Sequence, residues 1–233
     1  GRYAVENSRF LEAHGIKLLV VACNTASALA LPAIRKAIKV SVIGVIEPGS
    51  RAAVEIAQGA VIGVIATEAT VQSHAYARAI ASMGAKGQVI ERACPLFVSL
   101  AEEGWANSDV ARIVARDYLT EFTNTNLGAL VLGCTHYPIL RDVISDTVGS
   151  NINLIDSGEA TARDVESLLE NSDLMHDDTL GLYQERQLCD DLDHFYVTDA
   201  AERFAKVAER FLGSAPSILE AVEIWGHDEL RTH

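Results

Sequence analysis

Apolar positions along this chain follow two alternating rhythms. Short strand-type runs fall at 16–22, 40–46, 61–65 and 129–133, with a weaker one at 87–91 and brief ones at 153–155 and 195–197. Between them, apolar residues recur at helical spacing. Val5, Phe10 and Leu11 among polar neighbours predict a helix over 3–14, with Gly15 as its stop. Further helices are predicted from Cys23 to about Lys39, with a kink or restart at Pro32, and from Glu47-Pro48-Gly49-Ser50 to about Gln58. Others run from Glu68 to Met83, from Pro95 to Glu103, and from a Ser108 cap to Thr123. Three more are expected after Cys134 to Val148, from a Ser157 cap to Glu170, and from Ala200 to Phe211.

Strand and helix alternating throughout predicts an α/β fold with mainly parallel sheets. Two segments repeat one local grammar. Val20-Val21-Ala22-Cys23-Asn24-Thr25-Ala26-Ser27 and Val131-Leu132-Gly133-Cys134-Thr135-His136-Tyr137-Pro138 each place a cysteine between a strand and helix-start residues. They lie 111 residues apart, about one small α/β domain. The expectation is two similar doubly wound lobes facing each other across a cleft: 1–46 plus 158–233 as the first, 47–157 as the second. Both cysteines then fall at carboxyl ends of strands, where such sheets bind ligands.

Composition narrows the classes. Hydrophobic residues make up 49% of 233, which excludes a disordered chain, and no apolar run nears the ~20 residues of a membrane span. The start carries no signal-peptide pattern, so the expected address is the cytoplasm, with no membrane partner. A net charge of −13 without a Lys/Arg cluster argues against nucleic acid as a partner. Four cysteines without CxxC spacing (Cys23, Cys94, Cys134, Cys189) read as free thiols. Cys94 and Cys189 read as small buried hydrophobes, and the acidic stretch around Asp177-Asp178 as a solvated loop. No metal site is expected, since Cys134-Thr135-His136 has no second ligand pair nearby in sequence.

A thiol at a helix N-terminus faces unpaired N–H groups that favour its thiolate. Two thiols in matched settings suit an acid and a base facing one substrate. Removing a proton from one face of a carbon acid and returning one to the other face needs such a pair, one thiolate and one thiol.

These segments resemble the cofactor-independent aspartate/glutamate racemase superfamily, and within it the glutamate racemases. Gly63-Val64-Ile65-Ala66-Thr67-Glu68-Ala69-Thr70, Ala93-Cys94-Pro95-Leu96-Phe97, Ile155-Asp156-Ser157-Gly158 and His194-Phe195-Tyr196-Val197-Thr198 continue the likeness across nearly the whole chain. The resemblance implies racemisation of glutamate at Cα without a cofactor, supplying D-glutamate for peptidoglycan, cell-wall biogenesis and cell shape. It makes Cys23 and Cys134 the proton acceptor and donor. His136 would tune the second thiol or stabilise the carbanion-like state, and Glu102 or Glu103 would assist the first. Asn24, Thr25, Thr135 and His136 would hold the charged groups of the substrate. Thr67 and Thr70 read equally as substrate-lining residues and as ordinary helix caps; Asp156-Ser157 reads as a cap.

The likeness departs from the family at the start. The family's glycine-rich Asp-Ser-Gly segment and Pro-Tyr-Gly turn do not precede Cys23, and the sequence opens at the helix that usually follows them. The expectation is a chain that begins late, with Gly1 a non-native start, and that is destabilised and less active than a full-length relative. Repair by a partner chain, as in a homodimer, stays open. So do a racemase for aspartate or another small acid, and a non-catalytic glutamate-binding remnant.

Overall fold

Val, Ile and Leu dominate the strand runs because β-branched and aliphatic side chains fill the flat space between a sheet and its covering helices. In the computed structural model, which describes residues 1–176, 189 and 192–224, these seven runs become strands, an eighth joins them near the end of the described residues, and every strand pairing is parallel. The chain falls into two compact units, Gly1–Leu174 and Met175–His233.

The first unit opens with α1 (Arg2–Ala13), which ends at Gly15 with φ +76. β1 (Leu18–Val21) leads to α2 (Asn24–Ala37) and then to β2 (Ser41–Gly44), which pairs with β1. α2 runs through Pro32 without interruption. Leu19, Ala30, Ile34 and Ile38 form a small core here, with Val5 and Leu11 of α1 packed against it.

After α3 (Ile46–Ala57) comes a second sheet, built from β3 (Val61–Ala66), β4 (Val89–Ala93), β5 (Leu127–Gly133) and β6 (Asn153–Asp156) in the order β4-β3-β5-β6. The central strands β3 and β5 are almost fully buried, as their continuous apolar runs require. Its connections are α4 (Glu68–Gln72), α5 (Ala75–Ser82), α6 (Leu96–Glu102), α7 (Asp109–Thr123) and α8 (Arg141–Val148), and α9 (Ser157–Asn171) closes the unit. Ile46, Ala53, Ile62, Val64, Val131 and Ile155 belong to one core beneath it.

Several expectations are corrected. The single helix over 68–83 is two. Ser73 Oγ donates to the Thr70 carbonyl (2.6 Å) and accepts from Ala75 N–H (3.2 Å), and His74 takes φ +51. A serine hydroxyl that binds the backbone locally competes with the helical ladder, and here it breaks it. The helix after Cys134 begins with a 3-10 turn at Tyr137–Leu140, with Pro138 in its first turn. The weak strand expected at 87–91 sits at Val89–Ala93, in register with the apolar run of β3.

In the second unit, β7 (His194–Val197), α10 (Ala201–Leu212) and β8 (Ile218–Ala221) form a β-α-β crossover, its strands joined by parallel pairing. β8 has no counterpart among the apolar runs of the sequence. Cys189 is buried with a free thiol. Asp177 and Asp178 lie outside the described residues.

Candidate active site

The first thiol stands where β1 hands over to α2. Cys23 is the N-cap residue, extended at φ −72 and ψ 119, and its carbonyl accepts the first helical bond from Ser27 N–H at 2.9 Å. Asn24 and Thr25 are good N-cap types by sequence, but Cys23 holds that position. They are the first two helical residues, which frees their side chains for other partners. Ser27 pins the segment from below: its hydroxyl donates to Val21 O (2.7 Å) and accepts from Val45 N–H (3.3 Å), tying the ends of β1 and β2 together. The thiol of Cys23 is exposed and free.

Asn24 and Thr25 point to different neighbours. The Asn24 Nδ2 donates to the Tyr76 hydroxyl at 2.7 Å, which in turn pairs with Ser157 Oγ at 2.7 Å. Thr25 Oγ1 lies 2.9 Å from Thr67 Oγ1 and 3.0 Å from Thr70 Oγ1, and those two are 3.0 Å apart. Three hydroxyls in a closed triangle can each donate once and accept once, leaving lone pairs for a cation. Thr67 also caps α4, accepting from Thr70 N–H. Capping and gathering with Thr25 are therefore compatible rather than rival roles.

The second thiol follows β5. Gly133 is required there: a Cβ would lie 2.8 Å from the Ile65 carbonyl and 3.1 Å from the Tyr76 ring. Cys134 is only 8% exposed. Burial raises its thiol above the ordinary range, a charge on Cys23 raises it further, and hydrogen bonds from the His136 backbone and the Thr135 side chain oppose both. The thiolate-favouring field expected of both helix starts therefore loses to desolvation at Cys134. The segment begins with a short 3-10 turn rather than with the open N-terminus of an α-helix.

His136 joins this thiol to a carboxylate. Its Nε2 donates to Glu102 Oε1 at 3.1 Å, and its Nδ1 lies 3.9 Å from Cys134 Sγ and 3.3 Å from Thr135 Oγ1. With Glu102 accepting at Nε2, a neutral ring leaves Nδ1 as the acceptor facing the sulfur. Glu102, at the end of α6, is the carboxylate that meets His136, so it sits on the side of the second thiol rather than the first. Tyr137 holds the turn down. Its hydroxyl donates to the Cys94 carbonyl at 2.9 Å, and its ring packs edge-on against Phe97. Cys94 itself is fully buried and its thiol is pushed up to about 12 by desolvation.

A cavity of about 470 Å3 lies between these parts, lined among others by Ala22, Asn24, Cys134, Thr135, Asp156 and Ser157. Asp156 caps α9, accepting from Gly158 N–H at 2.8 Å, and so leaves Ser157 free to meet Tyr76. Tyr76 and Ser157 were not legible as site residues, because Tyr76 sits in an ordinary helical pattern with no motif around it. Among the described residues, no three His, Cys, Asp or Glu side chains gather as a metal-ligand set, and no helix is long and apolar enough to cross a membrane.

Residues 2–165 match the family model for Asp/Glu/hydantoin racemases. The chain is 45% identical over 212 residues to the glutamate racemase of Geobacter metallireducens, covering 91% of this chain and 75% of that protein. Its fold is similar to the crystal structure of glutamate racemase from Francisella tularensis subsp. tularensis in complex with D-glutamate, with TM-score 0.84, 33% identity, and 97% and 81% of the two chains covered. It is likewise similar to glutamate racemase from Thermus thermophilus in complex with β-chloro-D-alanine, with TM-score 0.79, 39% identity, and 95% and 78% covered.

Proposed function

The chain belongs to the Asp/Glu/hydantoin racemase family of isomerases, and we propose that it interconverts L- and D-glutamate by moving a proton between Cα and two cysteine thiols, without a cofactor. In this reading the thiolate of one cysteine takes the Cα proton and becomes a thiol. The other thiol gives its proton to the opposite face of the carbon and becomes the thiolate. Charge and protons balance within each turnover, and the enzyme emerges with the roles exchanged, ready for the reverse direction.

The observation that carries the reading is geometric: each cysteine follows the end of a parallel strand, and Cys134 and Asn24, the residue next to Cys23, line one cavity. Negative charge on Cys23 makes Cys134 harder to ionise. Burial of Cys134 acts in the same sense. Together they disfavour ionising both sulfurs at once and keep Cys134 protonated as a proton donor while Cys23 carries charge.

The remaining residues take supporting roles. His136 accepts from the Cys134 thiol or, once protonated, donates to its thiolate, and Glu102 stabilises the ring in either state. Asn24 and the triangle of Thr25, Thr67 and Thr70 present oxygens to the substrate ammonium, while Thr135 and the helix-start N–H groups suit a carboxylate. The split into lobes at about residue 46 is supported within the first unit by the separate sheets β1-β2 and β4-β3-β5-β6. A cytoplasmic setting and the supply of D-glutamate to peptidoglycan complete the proposal.

Proton NMR of L- and D-glutamate in D2O, with no added cofactor, tests it. Loss of the Cα–H signal is expected with either enantiomer, followed by appearance of the mirror form. A folded protein that leaves that signal intact would overturn the reading. Faster exchange on aspartate than on glutamate would move the substrate assignment to the smaller acid.

A further inference from the structure

The mechanism above leaves unused a fully buried polar side chain in contact with both sides of the cleft. Tyr76 is 0% exposed, and burial pushes its phenol up to about 12, so it stays protonated across the working pH range. A phenol has one proton to give. The Asn24 amide nitrogen can only donate, so Tyr76 accepts from it and directs its own proton to Ser157 Oγ.

Neither end of this relay is free to turn away. Ser157 Oγ is hemmed in, since a Cβ on Gly49 would lie only 2.7 Å from it. The Tyr76 ring lies against the backbone of β5 beneath Cys134, where a Cβ on Gly133 would come within 3.1 Å of the ring. With its nitrogen committed to Tyr76, Asn24 turns its carbonyl oxygen the other way. Asn24 lines the cleft beside Cys23, and among the described residues no hydrogen bond takes that oxygen.

We propose that Tyr76 is a positioning residue acting through Asn24: its hydroxyl, held by Ser157, fixes the amide so that an acceptor, and not a donor, faces the ammonium end of an amino acid next to Cys23. The inference rests on the reading that the cleft takes an amino acid. A released amide would flip, and its NH2 would then repel the group it is meant to hold.

The test is a double-mutant cycle on this chain. Tyr76→Phe is expected to raise KM for both glutamate enantiomers about tenfold, the ratio one well-made hydrogen bond sustains, with a smaller fall in kcat. Ser157→Ala, which leaves the phenol in place, is expected to fall between wild type and Tyr76→Phe and serves if the Phe variant fails to fold. In an Asn24→Ala background, Tyr76→Phe should add nothing. Equal losses in both backgrounds, or a lower melting temperature with KM unchanged, would overturn the proposal. Amide NMR of the free protein supplies a readout that needs no turnover. The Asn24 side-chain NH2 should be protected from exchange in wild type and unprotected in Tyr76→Phe. If wild type exchanges no Cα proton, the functional reading fails, and protection of that NH2 still decides the role of Tyr76.

Discussion

The two cysteine segments share a local grammar and end in opposite environments. Cys23 caps a full α-helix and stands exposed, gripped through its neighbours Asn24 and Thr25. Cys134 precedes a 3-10 turn and is buried, with its ionisation opposed by desolvation and relieved by His136 and Thr135. Matched strand-to-helix frames therefore present two sulfurs without making them chemically equivalent. The difference suits a reaction whose starting state needs one of each protonation form. It arises from the burial around each frame and from the 3-10 turn that replaces the open helix start after Cys134.

That asymmetry can be broken most severely at the sulfurs. Cys23→Ala and Cys134→Ala should each lower racemisation by about 10^2- to 10^4-fold, the range of a lost acid or base. The double variant should be little worse than either single one, because the two act as a unit. Racemisation that survives either change would end the two-base account.

The next largest effect separates the two glutamates. Glu102→Gln removes the charge behind His136 and should cost roughly 10- to 100-fold in turnover, whereas Glu103→Gln should leave it within about twofold. Equal effects would mean that the Glu102–His136 contact is incidental. Alkylation rates sharpen the contrast directly. Limiting iodoacetamide at neutral pH should label Cys23 about tenfold faster than Cys134, since exposure and thiolate access govern the rate; peptide mass spectrometry reads the order.

Smaller effects fall on stability. Thr70→Val, at a position 1% exposed, keeps the shape but strips a hydroxyl from the Thr25 and Thr67 triangle. It should lower stability by about 1 kcal/mol in urea unfolding.

Alkaline pH should act through the buried acids. Cys94 and Tyr76 are each pushed up to about 12 in the folded chain. The folded state therefore holds these protons more tightly than the unfolded state does. Their contribution is intact below the ordinary thiol value of about 8.5 and is lost as pH rises toward 12. Melting temperatures taken across that range should fall, and less steeply in Cys94→Ala. A flat profile would show that burial at Cys94 does not set its ionisation.

The parts of this molecule that were legible in the sequence are those where local chemistry dictates structure. Apolar runs became parallel strands, Gly15 stopped α1, and Ser108 capped α7 as its spacing implied. The illegible parts depend on contacts between distant residues. Nothing near Tyr76 in sequence signals that its hydroxyl reaches Asn24, 52 positions away, and Ser157, 81 positions away. Glu102 and Glu103 are alike in sequence, and only the turn of α6 brings one of them to His136. The break at His74 was missed because Ser73 reads as a tolerable helix residue until its hydroxyl is seen bound to the backbone. The raised thiol of Cys134 was missed for a related reason, since burial is a property of the assembled core.

The break between α4 and α5 bears on how such a pocket can change its taste in ligands. Thr67 and Thr70 precede it and seize Thr25; Tyr76 follows it and seizes Asn24. Two consecutive residues of α2 are thus clamped from two directions by one short stretch of chain. A substitution that releases one of the two residues leaves its neighbour held. Variation in what the cleft accepts must then come from the facing wall, around Thr135, Pro138 and the first turn of α9. A library aimed at new amino-acid substrates belongs there, with α2 left untouched.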